Sequence, residues 1–307
     1  MIMKKIMLFV LAALFLTACK SAPKGEAKAA AKPAMKVGIQ LYSLRGDCEK
    51  DLEGVLKALG EAGYDGVELA GFYQYSPEEF KALCDKYGLK IISAHVGRNE
   101  LVADPVGQAK LYASLGCKYV ALPWAERGMD LPGAPGYHFN YLDDLRTVSK
   151  ALKDEGIQLL YHSHDFEFVD YNGKLLIDVL LDDCGKDVLQ SELDTCWCHV
   201  AGTDPSAFLR SHKGLCPLVH FKDYVGTPGG NMYALIGKAE KEGAKSETFE
   251  YRPVGEGKLD LLGMLKAAKE SGTKWVIIEQ DEPSEGMTSI KCAKMSIKNV
   301  RNALKKL

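Results

Sequence analysis

The sequence predicts an α/β protein with one structural domain, a (β/α)8 TIM barrel that follows a signal peptide and a flexible tether. Three observations lead to this prediction. Eight short apolar runs each precede an amphipathic stretch, and the runs are continuous rather than alternating, as in parallel strands covered on both faces. Several amphipathic stretches end at a glycine. The units together occupy about 270 residues, which is typical of a single barrel of this kind.

The eight apolar runs are the predicted strands. They are Lys36–Tyr42, Gly66–Ala70, Lys90–His95, Lys118–Pro123, Gln158–His162, Leu189–Asp194, Leu218–Phe221 and Trp275–Gln280. A doubly wound open sheet is the alternative arrangement for repeated β-then-α units. That alternative calls for a glycine-rich dinucleotide loop after the first strand, whereas residues 40–45 read QLYSLR. The barrel is therefore the leading architecture.

The stretches between the runs have the periodicity of amphipathic helices. The predicted helices are Asp51–Ala62, Pro77–Tyr87, Pro105–Leu115, Tyr141–Glu155, Leu259–Ser271 and Ser289–Leu304. The first five of them are followed closely by Gly63, Gly88, Gly116, Gly156 and Gly272. Glycine takes the left-handed conformation that ends many helices at no steric cost, so these positions mark the predicted helix ends.

Residues 1–18 have the features of a bacterial lipoprotein signal peptide. Lys4 and Lys5 form a charged start, and residues 6–16 form an apolar segment that is too short to span a bilayer. Residues 16–19 read LTAC and resemble a lipobox, in which the cysteine becomes the first residue of the mature protein and is acylated. The alternative is a plain secretion signal with a chance cysteine at Cys19.

Residues 19–35 are predicted to be the lipidated cysteine and a flexible linker, and residues 36–307 the barrel. The linker is rich in Ala, Lys, Pro and Gly and has nothing to bury, so it reads as a tether. Several acyl chains on Cys19 would anchor the protein stably. We therefore expect an exported lipoprotein, bound to the membrane through a lipid anchor on Cys19, at the periplasmic side of the outer membrane or at the cell surface.

The composition limits the classes of partner. The net charge is −2, so no basic excess indicates a nucleic-acid partner. Eight cysteines besides Cys19 are scattered through apolar patterns without a CxxC pair. We expect them to be buried as small hydrophobic residues, although a disulfide remains an alternative in an oxidising compartment. A homo-oligomer is left open.

The barrel prediction locates a candidate site, because the carboxyl ends of its strands converge at one mouth. Those ends carry Gln40, Glu68, His95, Trp124, His162, His164, Asp194, His220, Lys222 and Glu279. The fifth strand is the most unusual, since residues 159–168 read LLYHSHDFEF. A buried strand has no packing use for two imidazoles and two carboxylates within six residues. A long connection, residues 223–257, is predicted to be a flap over the mouth, with a disordered insertion as the alternative.

These motifs resemble those of a known family, the xylose isomerase-like TIM barrels usually described as sugar phosphate isomerases/epimerases. The resemblance covers residues 36–304 in the right strand order. It lies in GIQLYSLR at 38–45, GVEL at 66–69, SAH at 93–95, YHSHDFEF at 161–168, LDT at 193–195, HFKD at 220–223 and VGEG at 254–257. Together these short motifs are specific for the superfamily and not for one substrate.

The resemblance implies a divalent cation at the barrel mouth. In the family a Glu, an Asp, a His and a Glu from strands five to eight hold it, and by position these correspond to His162, Asp194, His220 and Glu279. An imidazole therefore stands where the family has its first Glu, and Glu167 could return as a ligand or a substrate contact. Mn²⁺, Mg²⁺, Co²⁺ or Zn²⁺ suits such a mixed ligand set better than Ca²⁺.

The resemblance also implies proton abstraction next to a sugar carbonyl, for which the protein must supply a base. Glu167, His164, Lys222 and His95 are the predicted catalytic residues. Gln40, Glu68, Trp124 and Trp197 are the predicted substrate contacts, the two tryptophans by stacking on sugar faces. An exported protein does not meet cytoplasmic sugar phosphates, so we expect an unphosphorylated sugar or sugar derivative as the substrate of an isomerase or epimerase.

Two alternatives remain open at this point. The first is a lyase that cleaves 3-keto-glycosides by elimination, because the imidazole at His162 weakens the case for a pair of opposed carboxylate bases. The second is a sugar-binding lipoprotein without catalysis. A nuclease related to the apurinic endonucleases of this fold is disfavoured by the export signal and the acidic charge balance.

Overall fold

A computed structural model describes residues 35–125, 130–230, 232, 235 and 248–307. Its central sheet has eight strands, each within one of the eight predicted runs. They are β1 Lys36–Gln40, β2 Gly66–Leu69, β3 Lys90–Ala94, β4 Tyr119–Leu122, β5 Gln158–His162, β6 Gln190–Asp194, β7 Leu218–Phe221 and β8 Trp275–Ile278. Cys19, the signal peptide and the tether lie outside the described residues.

The strands are parallel and form the wall of a barrel. Their order in the sheet is β3-β2-β1-β8-β7-β6-β5-β4, so each strand pairs with its neighbours in sequence. An isolated parallel bridge between His95 and Ala121 joins the two ends of this order, and the amide of Val96 donates to the carbonyl oxygen of Ala121 at 3.0 Å. The predicted (β/α)8 barrel is therefore confirmed.

Helices follow the strands and cover the outer face of the barrel. They are α1 Arg45–Ala62, α2 Pro77–Lys86, α3 Arg98–Ala103, α4 Pro105–Leu115, α5 Leu142–Asp154, α6 Leu176–Cys184, α7 Thr195–Val200, α8 Pro205–Ser211, α9 Leu261–Ser271 and α10 Ser289–Leu304. All six predicted helices are confirmed, whereas α3, α6, α7 and α8 lack a sequence prediction. Gly63, Gly116 and Gly272 follow helices with φ of 91°, 95° and 89°, which is the left-handed conformation expected of them.

The barrel interior changes from apolar to charged along the strands. Ile92, Ala121, Leu160, Leu218 and Ile277 form a small buried cluster separate from the large core that packs under the helices. Successive residues of a strand alternate between the two faces of the sheet. Leu160, Leu218 and Ile277 are each followed two residues later by an ionisable residue that also faces inward. These residues are His162 in β5, His220 in β7 and Glu279 just after β8. The apolar layer thus forms a floor beneath a layer of ionisable groups.

The carboxylate of Asp223 forms hydrogen bonds with backbone amides at both ends of the long connection after β7. Residues 223–225 pair with residues 250–252 in a two-stranded antiparallel ribbon. Asp223 accepts hydrogen bonds from the backbone amides of Gly255, Gly257, Leu259 and Tyr224 at 2.9–3.2 Å. Much of the predicted flap lies outside the described residues, but Leu235 is described and lines the central cavity.

Two further features of the structure concern the state of the cysteines and the presence of membrane-spanning helices. All eight cysteines in the described part of the chain are buried and free, which confirms the prediction that they serve as small hydrophobic residues. No helix among the described residues combines the length and the apolar character that a bilayer span needs.

Candidate active site

Four ligand-type side chains converge at the mouth of the barrel. They are His162 at the end of β5, Asp194 at the end of β6, His220 in β7 and Glu279 just after β8. One candidate ligand atom from each lies within 4.8 Å of those from the other three. His220 Nδ1 is 3.0 Å from Glu279 Oε2, and His162 Nε2 is 3.9 Å from Asp194 Oδ2. The structure therefore brings together the four residues that the family resemblance assigns to a metal centre.

The orientation of Asp194 fits the binding of a cation. Its Oδ1 accepts hydrogen bonds from the amides of Cys196 and Trp197 at 2.8 and 3.0 Å. Its Oδ2 is buried and has no hydrogen-bond partner among the described residues, and the Lys222 ammonium lies 3.5 Å away. A buried oxygen without a hydrogen bond is costly unless another group pairs with it. Two imidazoles and two carboxylates also match the ligand preferences of Zn²⁺, Mn²⁺ and Co²⁺, and their two negative charges balance a dication. The residues present thus fit a divalent metal ion.

A second set of possible ligands lies deeper and shares two imidazoles with the first. It consists of His95, His162, Glu192 and His220. Glu192 Oε2 is 2.8 Å from His95 Nε2, 3.3 Å from His162 Nδ1 and 3.4 Å from His220 Nε2. Glu192 is fully buried and lacks a sequence prediction. It stands two residues before Asp194, so it faces the same side of β6.

Burial and the neighbouring charges have opposing effects on the ionisation of these groups. Burial, helped by the charge of His220, lowers the pKa of His162 to about 3 and keeps that ring neutral. Burial raises the pKa of Asp194 to about 7. Burial also opposes ionisation of Glu279, but the Lys222 ammonium and His220 outweigh it and hold the pKa of that carboxyl well below its usual range. Burial opposes protonation of His220, but the carboxylates of Glu192, Glu68 and Glu279 outweigh it and raise the pKa of that ring well above its usual range. Neutral imidazole and ionised carboxylate are the forms that bind metals, so metal binding here would release a proton from His220.

Lys222 brings a buried positive charge to the same place. Its Nζ lies 2.8 Å from Asp281 Oδ1, 3.2 Å from Glu279 Oε2 and 3.5 Å from Asp194 Oδ2. Burial works against the ammonium, but these three carboxylates raise its pKa well above the usual range, so it stays charged. No role was predicted for Asp281 from the sequence. It lies two residues after Glu279, beyond the end of β8.

A cavity of about 350 Å³ opens above these groups. Six of the predicted site residues line it, namely His95, Trp124, His162, His164, Lys222 and Glu279. Tyr42, Leu235 and Asp281 line it as well. The cavity therefore has a charged floor, two aromatic side chains on its wall, and enough room for a small sugar derivative.

The whole chain was compared with known families and structures. The sequence profile of the family described as xylose isomerase-like TIM barrel matches residues 56–301. The chain belongs to this family. No protein of curated function matches it.

Several solved structures share the barrel. A sugar phosphate isomerase/epimerase from Parabacteroides distasonis ATCC 8503 superposes with a TM-score of 0.67 at 20% identity, covering 92% of this chain and 100% of that one. A zinc-bound IOLI protein gives 0.65 at 17% identity, covering 89% and 99%. A D-allulose 3-epimerase from a Methylomonas species gives 0.63 at 13% identity, covering 88% and 98%. At these identities the likeness concerns the fold.

In this xylose isomerase-like barrel, Glu167 does not reach the cavity. It is fully buried, the Tyr161 hydroxyl donates to its Oε1, and the backbone amide of His164 donates to its Oε2 at 2.8 Å. Burial raises the pKa of Glu167 to about 8. The expectation that Glu167 contacts substrate or metal needs correction, because both of its oxygens stabilise the turn after β5.

Three residues of this protein that were predicted to contact substrate also lie outside the cavity lining. Gln40 is buried and caps the turn after β1, since its Oε1 accepts from the Tyr42 amide at 3.0 Å. Glu68 is buried in the barrel and accepts from the Ser93 hydroxyl at 2.6 Å. Trp197 is fully buried, with its ring centroid 5.2 Å from Lys222 Nζ. In this structure none of the three lines the cavity, and each contacts a neighbouring group instead.

Proposed function

We propose that this protein is a divalent-metal-dependent isomerase or epimerase that moves a proton next to the carbonyl of an unphosphorylated sugar or sugar derivative. The observation that carries the proposal is the convergence of His162, Asp194, His220 and Glu279 within 4.8 Å, beneath a cavity lined by His164 and Lys222. Relatives of this fold include a sugar phosphate isomerase/epimerase and a sugar epimerase, which supports the reaction class.

The two carboxylates and two imidazoles at the mouth would hold the ion. A bound divalent ion supplies Lewis-acid stabilisation of the negative charge that develops on the substrate oxygens. Asp194 would offer Oδ2, which takes part in no hydrogen bond among the described residues, and the neutral ring of His162 would offer a lone pair. Lys222 adds a fixed positive charge at the same edge, where it stabilises developing negative charge without reorganisation.

His164 is the best-placed base in the cavity. Its Nδ1 is buried and has no hydrogen-bond partner among the described residues. The ring stacks on Phe166 with centroids 5.8 Å apart and lies 5.5 Å from Trp197, so its direction is held by packing. Burial lowers the pKa of His164 well below its usual value, which leaves the ring neutral but makes it a weaker base than a free imidazole. We propose that His164 removes the proton and returns it to the neighbouring carbon.

The charges around the cavity favour an unphosphorylated substrate. Among its described lining residues, Lys222 is the only lysine or arginine, whereas Glu279 and Asp281 contribute carboxylates. Lys222 is already paired with three carboxylates. A phosphate dianion would need unpaired Arg, Lys or helix N-terminal groups to replace its water. A neutral sugar needs hydroxyl partners only, and this lining provides them.

Exchange of substrate protons tests the proposal. The protein is loaded with Mn²⁺ or Zn²⁺ and incubated in D₂O with unphosphorylated ketoses and aldoses. We expect proton NMR to show loss of the signal from the carbon next to the carbonyl, and only when metal is present. The control is His138→Gln, since His138 is exposed and is not among the residues that line the cavity. Metal-loaded protein that binds these sugars without exchanging any proton would instead be a sugar-binding protein.

Elimination from a 3-keto-glycoside is a second candidate reaction. Glu167 faces away from the cavity, so the case for two opposed carboxylate bases is weak, whereas His164 alone suffices for elimination. In such a reaction the base takes the proton at C2, the C1–O bond breaks, and the aglycone leaves with the bonding electrons. Release of an aglycone from a 3-keto-glycoside, with no turnover of simple ketoses, would favour this lyase over the isomerase.

We also propose that the protein is exported and anchored through Cys19. The support is the LTAC motif behind an apolar signal segment, together with the burial of the eight other cysteines. In bacteria fed a palmitate analogue, the wild-type protein is expected to carry the label and to sediment with membranes. Cys19→Ser is expected to lose both properties, whereas Ser21→Ala should keep them. Label retained by Cys19→Ser would show that this cysteine is not the anchor.

A further inference from the structure

His162 and His220 each turn one ring nitrogen toward a carboxylate near the cavity and the other toward a carboxylate deeper in the barrel. His220 Nδ1 is 3.0 Å from Glu279 Oε2, whereas its Nε2 is 2.6 Å from Glu68 Oε2. His162 Nε2 is 3.9 Å from Asp194 Oδ2, whereas its Nδ1 is 3.3 Å from Glu192 Oε2. The rings therefore stand between an upper pair of carboxylates at the cavity and a lower pair inside the barrel.

A neutral imidazole cannot serve both sets at once. It has one nitrogen that carries a proton and one that carries a lone pair, and only the lone pair binds a metal. If the upper set holds the ion, Nδ1 of His220 and Nε2 of His162 bind it, and the opposite nitrogens carry the protons. The Nε2 proton of His220 is then donated to Glu68 at 2.6 Å. The Nδ1 proton of His162 lies 3.3 Å from Glu192 Oε2, without the alignment of a hydrogen bond in this structure. Both carboxylates are acceptors when ionised.

The two lower carboxylates, Glu68 and Glu192, lie where they can orient the imidazoles without contacting substrate. Glu68 and Glu192 are fully buried, and neither lines the cavity. Ser93 fixes Glu68 by donating to its Oε1 at 2.6 Å, which leaves Oε2 for His220. His95 Nε2 lies 2.8 Å from Glu192 Oε2, the same oxygen that faces His162. Substrate would not reach either group, but both meet the imidazoles from below.

We infer that Glu68 and Glu192 are positioning residues that fix the tautomers of His220 and His162, so that the upper set alone binds the ion. This inference rests on the metal centre of the proposed function. The two overlapping ligand sets, which share His162 and His220, are then one metal site with an orienting layer of Glu68 and Glu192 beneath it, and not two sites. Carboxylates that accept from metal-bound imidazoles raise ligand basicity, and their loss typically costs about 10–100-fold in metal affinity.

Metal affinity measured by competition with a chromophoric chelator tests the inference. Glu68→Gln and Glu192→Gln are each expected to weaken Zn²⁺ binding about 10–100-fold while the stoichiometry stays at one ion. Ser93→Ala, which frees Glu68 without removing it, is expected to give a smaller loss and guards against misfolding of the charge variants. Glu61→Gln is the matched control, because Glu61 is exposed on α1. Unchanged affinity in all three buried variants would overturn the inference.

Two further results separate this inference from the metal-centre proposal. If Glu192→Gln abolishes binding while Asp194→Asn and Glu279→Gln retain it, the lower set holds the ion and the inference is wrong. Ring nitrogen NMR of the metal-free protein gives a readout that needs no ion. There we expect the proton of His162 on Nδ1, and a shift toward Nε2 in Glu192→Gln. If wild type binds no ion, the proposed function fails, and this tautomer measurement alone decides the positioning role.

Discussion

Asp194→Asn and Glu279→Gln are each expected to lower the affinity of the protein for Zn²⁺ or Mn²⁺ by more than about 100-fold, beyond the loss typical of an orienting partner. Each change removes a ligand charge from a site that offers only two carboxylates. Asp194→Asn keeps an acceptor for the amides of Cys196 and Trp197, so the backbone turn should survive. Elemental analysis of protein dialysed against a fixed metal buffer measures the effect.

Removal of the metal from wild type provides the matching test. Chelation followed by dialysis is expected to stop proton exchange, and addition of Mn²⁺ or Zn²⁺ should restore it. Glu61→Gln on α1 serves as the carboxylate control and should keep a full complement of metal. If both site variants retain one tightly bound ion per chain, the ligands are other residues and the proposed metal centre is incorrect.

His164→Gln is expected to slow substrate proton exchange by about 10²–10⁴-fold, the usual contribution of a positioned general base. The amide of glutamine fills part of the same space but accepts no proton at neutral pH. Metal content should stay unchanged, because His164 belongs to neither candidate ligand set. The rate of deuterium incorporation, measured at saturating sugar, separates loss of the base from loss of sugar binding.

His138→Gln controls for the change from imidazole to amide, since that side chain is exposed. A His164→Gln variant that exchanges protons at the wild-type rate would move the base to another cavity residue. Asp281, which lies 2.8 Å from Lys222 Nζ, would then be the next residue to test.

Most of the fold and much of the site follow from the sequence because both depend on one periodic arrangement. Eight apolar runs specify eight strands, and parallel strands in a barrel bring their carboxyl ends together. His162, Asp194 and Glu279 were therefore predictable as neighbours although more than a hundred residues separate the first from the last. The short helices α3, α7 and α8 were missed because six or seven residues hold too few turns to show a period.

Glu192 and Asp281 were missed because each stands two residues from a more conspicuous acid. In β6 the alternation of faces places Glu192 on the same side as Asp194, so the signal was present in the sequence. Glu167 was assigned a cavity role although it stands three residues after His164. That spacing is typical of a capping box, in which the acid returns to the backbone amide at the start of the turn, and the structure has this contact.

The cradle around Asp223 has a consequence for how such barrels diversify. The Asp223 carboxylate accepts hydrogen bonds from the amide of Tyr224 at the start of the long connection and from those of Gly255 and Gly257 at its end. The number of residues between these ends can therefore change without moving the barrel. Doubling the span of such a loop costs only about 0.6 kcal/mol in closure entropy. The length and sequence of the segment that contains Leu235 could therefore change during evolution without affecting the barrel. Such changes would alter the cavity and, with it, the substrate.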